Sequence, residues 1–256
     1  LVTAALRCVG NIVTGDEHQT QLIIDCSALP CLLHILVHGT DALQKEACWT
    51  LSNILAGTTD QIQAVFEVHG IIETLVKLLA NGDFRTRKEA AWAVCNVLTG
   101  GQRAQLATLL HAGCVPPLCD LLTVADVRVV TVALNALRAA LDHGTHQQTL
   151  NRQGDNPVAV AIEECGGLDK LEFLQQHENV DIYLQSKDLI DVFFSDGNDE
   201  LNANADDDSS ATSGKGTTAS STSSDLSSAT GAVGRPGDTN NNNTNVNSNL
   251  PFQFQF

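Results

Sequence analysis

Methionine is absent from this chain of 256 residues, and aromatic rings are scarce, with two tryptophans, one tyrosine and eight phenylalanines. Positive charge is also short: 14 Lys and Arg stand against 30 Asp and Glu, for a net charge of −16. A protein that grips a phosphate backbone needs a basic stripe, so this balance excludes nucleic acid as the principal ligand. It favours attraction of a cationic partner instead. No apolar run approaches the roughly 18 residues a membrane span needs, and no secretory leader is visible. The missing methionine, and a helical pattern already under way at Leu1, lead us to expect a fragment lacking its N-terminus.

Eight cysteines are present, yet none forms a C-x-x-C pair. Cys26/Cys31 and Cys114/Cys119 are separated by four residues, with no histidines at zinc-site distances, so neither a disulfide framework nor a metal is expected. Buried, reduced thiols in a cytosolic or nuclear protein are the expectation, with no cofactor. His34 and His38 lie four apart but have no third ligand in phase; the other histidines fall near helix ends or loops. No nucleophile motif, phosphate loop or carboxylate pair appears, so catalysis is not expected.

Composition divides the chain. Residues 1–194 carry all the cysteines, both tryptophans and most of the aliphatic side chains. Residues 195–256 are mostly Ser, Thr, Asn, Asp, Gly and Ala until the final Pro251-Phe252-Gln253-Phe254-Gln255-Phe256. Such a segment cannot bury enough apolar surface to offset its ordering entropy and is expected to be disordered.

One phrase is written twice: Lys45-Glu46-Ala47-Cys48-Trp49-Thr50-Leu51-Ser52-Asn53, then Lys88-Glu89-Ala90-Ala91-Trp92-Ala93-Val94-Cys95-Asn96, 43 residues later. Glycines punctuate the chain at nearly the same interval, at Gly15, Gly57, Gly100 and Gly144. They read as helix terminators that accept a left-handed backbone. A period of about 40–47 residues filled with helical text indicates an all-α, right-handed superhelical solenoid of armadillo or HEAT type, each repeat burying its face on the next. The boundaries follow as 1–15 (the end of a truncated repeat), 16–57, 58–100, 101–144, 145–194 and the tail 195–256. Each unit divides into a short first helix, a Leu-rich second helix and a long third helix. Leu32, Leu75, Leu118 and Leu171 mark the second, and Pro116-Pro117 falls in its first turn, where proline is tolerated. Residues 145–156 read as a polar loop insertion.

On the third helix Glu precedes Trp by three residues and Asn follows it by four, so all three share one face. Stacked repeats would lie about 10 Å apart, the advance of roughly three residues of extended peptide. Asn side chains both give and take hydrogen bonds, so they can clamp a main chain of any sequence. Indole faces receive the stems and heads of Lys or Arg, worth about 0.5–2 kcal/mol each, and Glu46 and Glu89 supply counter-charge. The pattern Trp49/Asn53 and Trp92/Asn96 is partly kept as Arg7/Asn11 and lost at Asn135/Ala139. Together these residues specify a groove for an extended basic peptide.

Three further stretches point the same way: Ala5-Leu6-Arg7-Cys8-Val9-Gly10-Asn11, Phe84-Arg85-Thr86-Arg87 leading into the second phrase, and Gly167-Leu168-Asp169-Lys170-Leu171-Glu172-Phe173-Leu174. With the repeated phrase, they closely resemble importin α, the adaptor that recognises nuclear localisation signals. The resemblance runs to about residue 194 and covers roughly the last five armadillo repeats of that family. It implies two basic-peptide sites, the minor one here and the major one in missing N-terminal repeats. By residue match, Trp49 and Trp92 resemble walls around a Lys or Arg stem, with Glu46 and Glu89 as salt-bridge partners. Asn11, Asn53 and Asn96 resemble main-chain clamps, and Arg7 takes the tryptophan's place one repeat earlier. Val13, Thr20 and Asn53, with Glu17 where the family often has Asp, resemble the pocket of a key lysine.

The partners implied are basic cargo proteins, importin β through an N-terminal arm missing here, and an export receptor. That receptor would dock at the last repeat and the acids Asp196, Asp199 and Glu200. The implied location is cytoplasm and nucleus, by shuttling. The alternative is another armadillo scaffold of catenin type, whose groove carries Lys and Arg for acidic ligands.

Overall fold

The computed structural model describes residues 1–151 and 154–195, with backbone alone for 150 and 151. The acidic patch beginning at Asp196 and the expected disordered tail lie outside the described residues.

Within residues 1–195 the helices run α1 (Val2–Ile12), α2 (Glu17–Asp25), α3 (Ala28–His38), α4 (Asp41–Leu55), α5 (Thr59–Glu67), α6 (Ile71–Asn81) and α7 (Phe84–Gly100). They continue as α8 (Arg103–His111), α9 (Val115–Asp120), a 3-10 turn (Leu121–Thr123), α10 (Val127–Asn151), α11 (Pro157–Glu164), α12 (Gly167–Leu174) and α13 (Val180–Phe193). From α2 onward they come in triples. The third helices form one continuous row, α4 packing on α1 and α7, and α10 on α7 and α13; the second helices α3, α6, α9 and α12 form another. The core lies between the rows and runs unbroken from Leu6 to Leu189. Leu32, Leu75, Leu118 and Leu171 are all buried in it, each contributing about 1.5–3 kcal/mol of apolar burial.

Local chemistry starts each triple. Asp16 and Thr58 cap α2 and α5, and the side chains of Gln19 and Gln61 return to the capping residues' N–H groups. Gln105 does the same for Gln102 at the start of α8. These glutamines also tie repeats together: Gln61 donates to the Glu17 carbonyl at 2.7 Å and Gln105 to the Gln63 side chain at 2.9 Å. Pro116 and Pro117 occupy the first turn of α9, where no intrahelical N–H is lost.

Three features depart from the sequence reading. The boundary glycines do not adopt left-handed backbone; among described glycines only Gly70, Gly113 and Gly166 do, each just before a second helix. Gly15 and Gly57 are small instead because a Cβ there would collide with the returning side chains of Gln19 and Gln61. Residues 145–151 are not loop: α10 continues through Gly144 to Asn151. A Cβ on Gly144 would collide with the amide of Asn156, which caps α11 and donates to the Leu141 carbonyl at 2.9 Å. The thiols differ too, for Cys8, Cys26 and Cys31 are exposed while Cys48, Cys95, Cys114 and Cys119 are buried. Burial pushes the Cys95 and Cys114 thiols up to about 12, so they stay protonated and unreactive.

Gly113 isolates the cost of backbone handedness, because its φ is 83° and a Cβ would meet nothing within 4 Å. Gly113→Ala should lower unfolding stability by about 1 kcal/mol, measured by urea denaturation. An unchanged midpoint would show that the position tolerates a side chain in this conformation.

Candidate functional site

A cleft of about 420 Å³ opens across the third-helix row, lined by Arg7 and Asn11 of α1, Lys45, Glu46 and Trp49 of α4, Lys88 and Glu89 of α7, and Arg128 of α10. Helical periodicity puts Arg7 with Asn11, and Lys45 and Glu46 each with Trp49, on shared faces. The floor is set by a glycine: a Cβ on Gly10 would overlap the ring of Trp49, so the indole lies directly over the α1 backbone. Trp49 is therefore 5% exposed, a wall seen at its edge rather than an open plate. Trp92 is half-buried against the core and is not part of the cleft lining.

The two glutamates, each set in Lys-Glu-Ala three residues before a Trp, differ in state. Glu46 is buried and takes a two-pronged ion pair from Arg7, whose Nε lies 2.8 Å from Oε2 and whose Nη2 reaches Oε1. Lys45 adds a bond of 2.8 Å to Oε1. Burial works to raise the Glu46 pKa, but the bonds from Lys45 and Arg7 outweigh it and hold the carboxyl below its ordinary range. Glu89 has no such saturation: its Oε2 is buried with no hydrogen-bond partner. Burial pushes its pKa up, and the charges of Lys45 and Lys88 offset this only in part. Lys88 is engaged elsewhere, with Asp126 at 2.7 Å. Glu89 is thus the carboxylate on which the cleft has charge to offer.

The amides are not equivalent either. Asn11 is exposed, whereas Asn53 and Asn96 are buried. The Asn96 Nδ2 donates to the Ser52 carbonyl of α4 at 2.8 Å, and its buried Oδ1 has no hydrogen-bond partner; at Asn53 it is Nδ2 that lacks one. Val13 and Thr20 are 2% and 3% exposed, and the Thr20 hydroxyl points back to the Val13 carbonyl, so their surfaces are spent inside the fold. Glu17 is exposed, and its carbonyl holds Gln61. Of the residues singled out in the sequence, the cleft gathers Arg7, Asn11, Glu46, Trp49 and Glu89. It leaves Val13, Glu17, Thr20, Asn53, Trp92 and Asn96 outside its lining. The sequence reading missed the cations Lys45, Lys88 and Arg128. The signal was present, since each Lys directly precedes the Glu of the repeated phrase.

An armadillo/beta-catenin-like repeat model matches residues 16–56, 58–99 and 103–138, and an atypical Arm repeat model matches 156–209. Importin subunit alpha-1a of Oryza sativa subsp. japonica is 56% identical over 197 residues, which are 77% of this chain and 37% of that protein. Importin subunit alpha-3 of Arabidopsis thaliana is 46% identical over 198 residues, again 77% and 37%. The chain thus spans little more than a third of these curated relatives. Among solved structures, an engineered protein superposes with a TM-score of 0.61 at 28% identity, over 74% of this chain and 71% of its own. A designed armadillo repeat protein in complex with the peptide (KR)4 superposes with a TM-score of 0.53 at 28% identity, over 74% and 92%. Its three matched repeats and its likeness to the plant subunits place the chain in the importin α family of armadillo-repeat proteins.

Proposed function

We propose that the chain binds an extended basic peptide of the nuclear localisation signal type along the third-helix row, as the cargo-reading part of a nuclear import adaptor. The observation that carries this is Glu89: a half-buried carboxylate with one unpartnered oxygen, in a solvent-open cleft that the Trp49 indole also lines. A Lys or Arg head entering there supplies the missing hydrogen bond, while its stem lies along Trp49. Asn11, Asn53 and Asn96 offer amide groups for the main chain on either side. The likeness to a designed repeat protein that holds (KR)4 supports the same ligand chemistry. By this reading Glu46 serves to anchor Arg7 rather than to contact the peptide. The adaptor role brings with it shuttling between cytoplasm and nucleus, importin β as carrier, and an export receptor at the α11–α13 triple.

A second reading rests on the cations. Arg7, Lys45, Lys88 and Arg128 line the same cleft and would suit an acidic ligand of another armadillo scaffold. The sign of the ligand separates the two: a fluorescent Lys/Arg-rich peptide should bind the chain, and an acidic peptide of equal length should not.

Glu89 makes the binding pH-dependent. Its carboxyl in the free protein titrates above the ordinary 4.5, and a cationic partner favours the ionised form, so binding expels a proton wherever free Glu89 is protonated. Affinity for the basic peptide should be full at neutral pH and fall as pH drops through the raised pKa. Glu89→Gln should weaken the peptide about tenfold at neutral pH and flatten that decline. A decline that persists unchanged in the variant would assign it to another group.

Trp92 is outside the cleft lining but one repeat further along the same row. Calorimetry with Trp92→Ala should show a loss of at least about 1 kcal/mol in peptide binding. Urea denaturation of the same variant checks that the fold survives; full affinity in a folded variant would remove Trp92 from the site.

A further inference from the structure

Away from the peptide cleft, α3 carries two histidines on one face, four residues apart. His34 and His38 are both exposed, with ring centroids 4.8 Å apart and planes inclined at 51°. A metal ion bound by imidazole lies about 2.0–2.1 Å from the ligating nitrogen, hence about 3.2 Å from the ring centre. Two rings holding one ion at angles between square and tetrahedral therefore have centres about 4.5–5.2 Å apart. The observed separation falls inside that interval.

The two rings stand at the rim of a cavity of about 400 Å³ between α3 and the start of α6, walled by Pro30, Leu33, Val37, Gly70 and Thr74. The cavity has room for the waters that would complete the coordination of an ion. Its lining holds no carboxylate. That chemistry disfavours Mg²⁺ and Ca²⁺, which demand oxygen ligands, and suits divalent ions that take imidazole. Among the described residues no cluster of three His, Cys, Asp or Glu assembles a closed site, so open positions filled by water follow.

We propose that His34 and His38 form a two-imidazole surface site for a divalent transition metal ion such as Zn²⁺ or Ni²⁺. Nothing in the peptide-binding reading requires it, and the two fail separately. The i, i+4 spacing makes the second imidazole an intramolecular ligand, so the pair binds far more tightly than either ring alone. Because both ligands sit in the last two turns of α3, the ion also ties that helix end together.

The test is calorimetric titration of the full, untagged 256-residue chain with Zn²⁺ and Ni²⁺, with Mg²⁺ as contrast. One ion should bind per chain for Zn²⁺ and for Ni²⁺, and Mg²⁺ should give no heat. His34→Ala and His38→Ala should each weaken the metal by at least about tenfold. His18→Ala, on α2, should leave affinity unchanged. Cys31→Ser, one turn before His34, should do so as well, which separates imidazole binding from capture by that exposed thiol. The proposal is overturned if Zn²⁺ and Ni²⁺ do not bind. It is equally overturned if either histidine variant binds like the parent, or if Cys31→Ser abolishes binding.

Discussion

The close stacking of third helices is the constraint on which the site depends. Where α4 crosses α1, the indole of Trp49 occupies the space a Cβ of Gly10 would need. That contact holds the ring at the edge of the cleft and brings Arg7 to within bonding distance of Glu46. One repeat later the same approach lets the Asn96 amide reach the Ser52 carbonyl across α7 and α4. The cleft is therefore no separate device added to the solenoid: its walls are the parts of the stacking surface that the next helix does not cover. The core and the cleft draw on the same side chains, so a residue such as Trp49 can be 5% exposed and still line the cleft.

Periodicity made the fold readable. The 43-residue recurrence of Leu32, Leu75 and Leu118 places the second helices, and the Trp phrase places the third; all fall where helical spacing puts them. What periodicity could not tell was why a residue is small. Gly15, Gly57 and Gly144 looked like terminators because glycine usually marks a left-handed end. Here it makes room for an incoming Gln or Asn side chain. That is a contact with one particular atom, and no composition rule encodes it. The same blindness turned residues 145–151 into a loop: their polar text suits either a loop or an exposed helix end, and the Asn156 cap packed on Gly144 favours helix.

The candidate site was legible as residue types and not as states. Glu46 and Glu89 belong to matching phrases, and a reading along the chain treats them alike. The difference comes from the partners each finds: Lys45 bonds Glu46, whereas Lys88 is held by Asp126, and the preceding helices differ as well. Arg7, 39 residues ahead of Glu46, pairs with it; the residue 40 ahead of Glu89 is Trp49, whose indole supplies no guanidinium. Arg in place of Trp at one rung, with the different engagement of the two lysines, thus saturates one carboxylate and leaves an oxygen of its twin without a hydrogen-bond partner.

The amides follow the same logic and bear on how a strand would be received. Asn96 has committed its N–H to Ser52 and retains an acceptor, whereas Asn53 retains a donor. An extended main chain presents both a donor and an acceptor at every residue, so two adjacent amides that offer opposite groups suit it better than two offering the same. Side-chain selection would then rest on Glu89 and the indole, and main-chain capture on the amides, with Arg7–Glu46 closing one end of the charged region. A ladder in which every repeat were identical would read each position of a peptide alike. Here Arg7 stands where the next repeats have Trp, and Asn53 and Asn96 keep opposite groups unpartnered, so under the proposed reading neighbouring positions of a peptide would meet different chemistry.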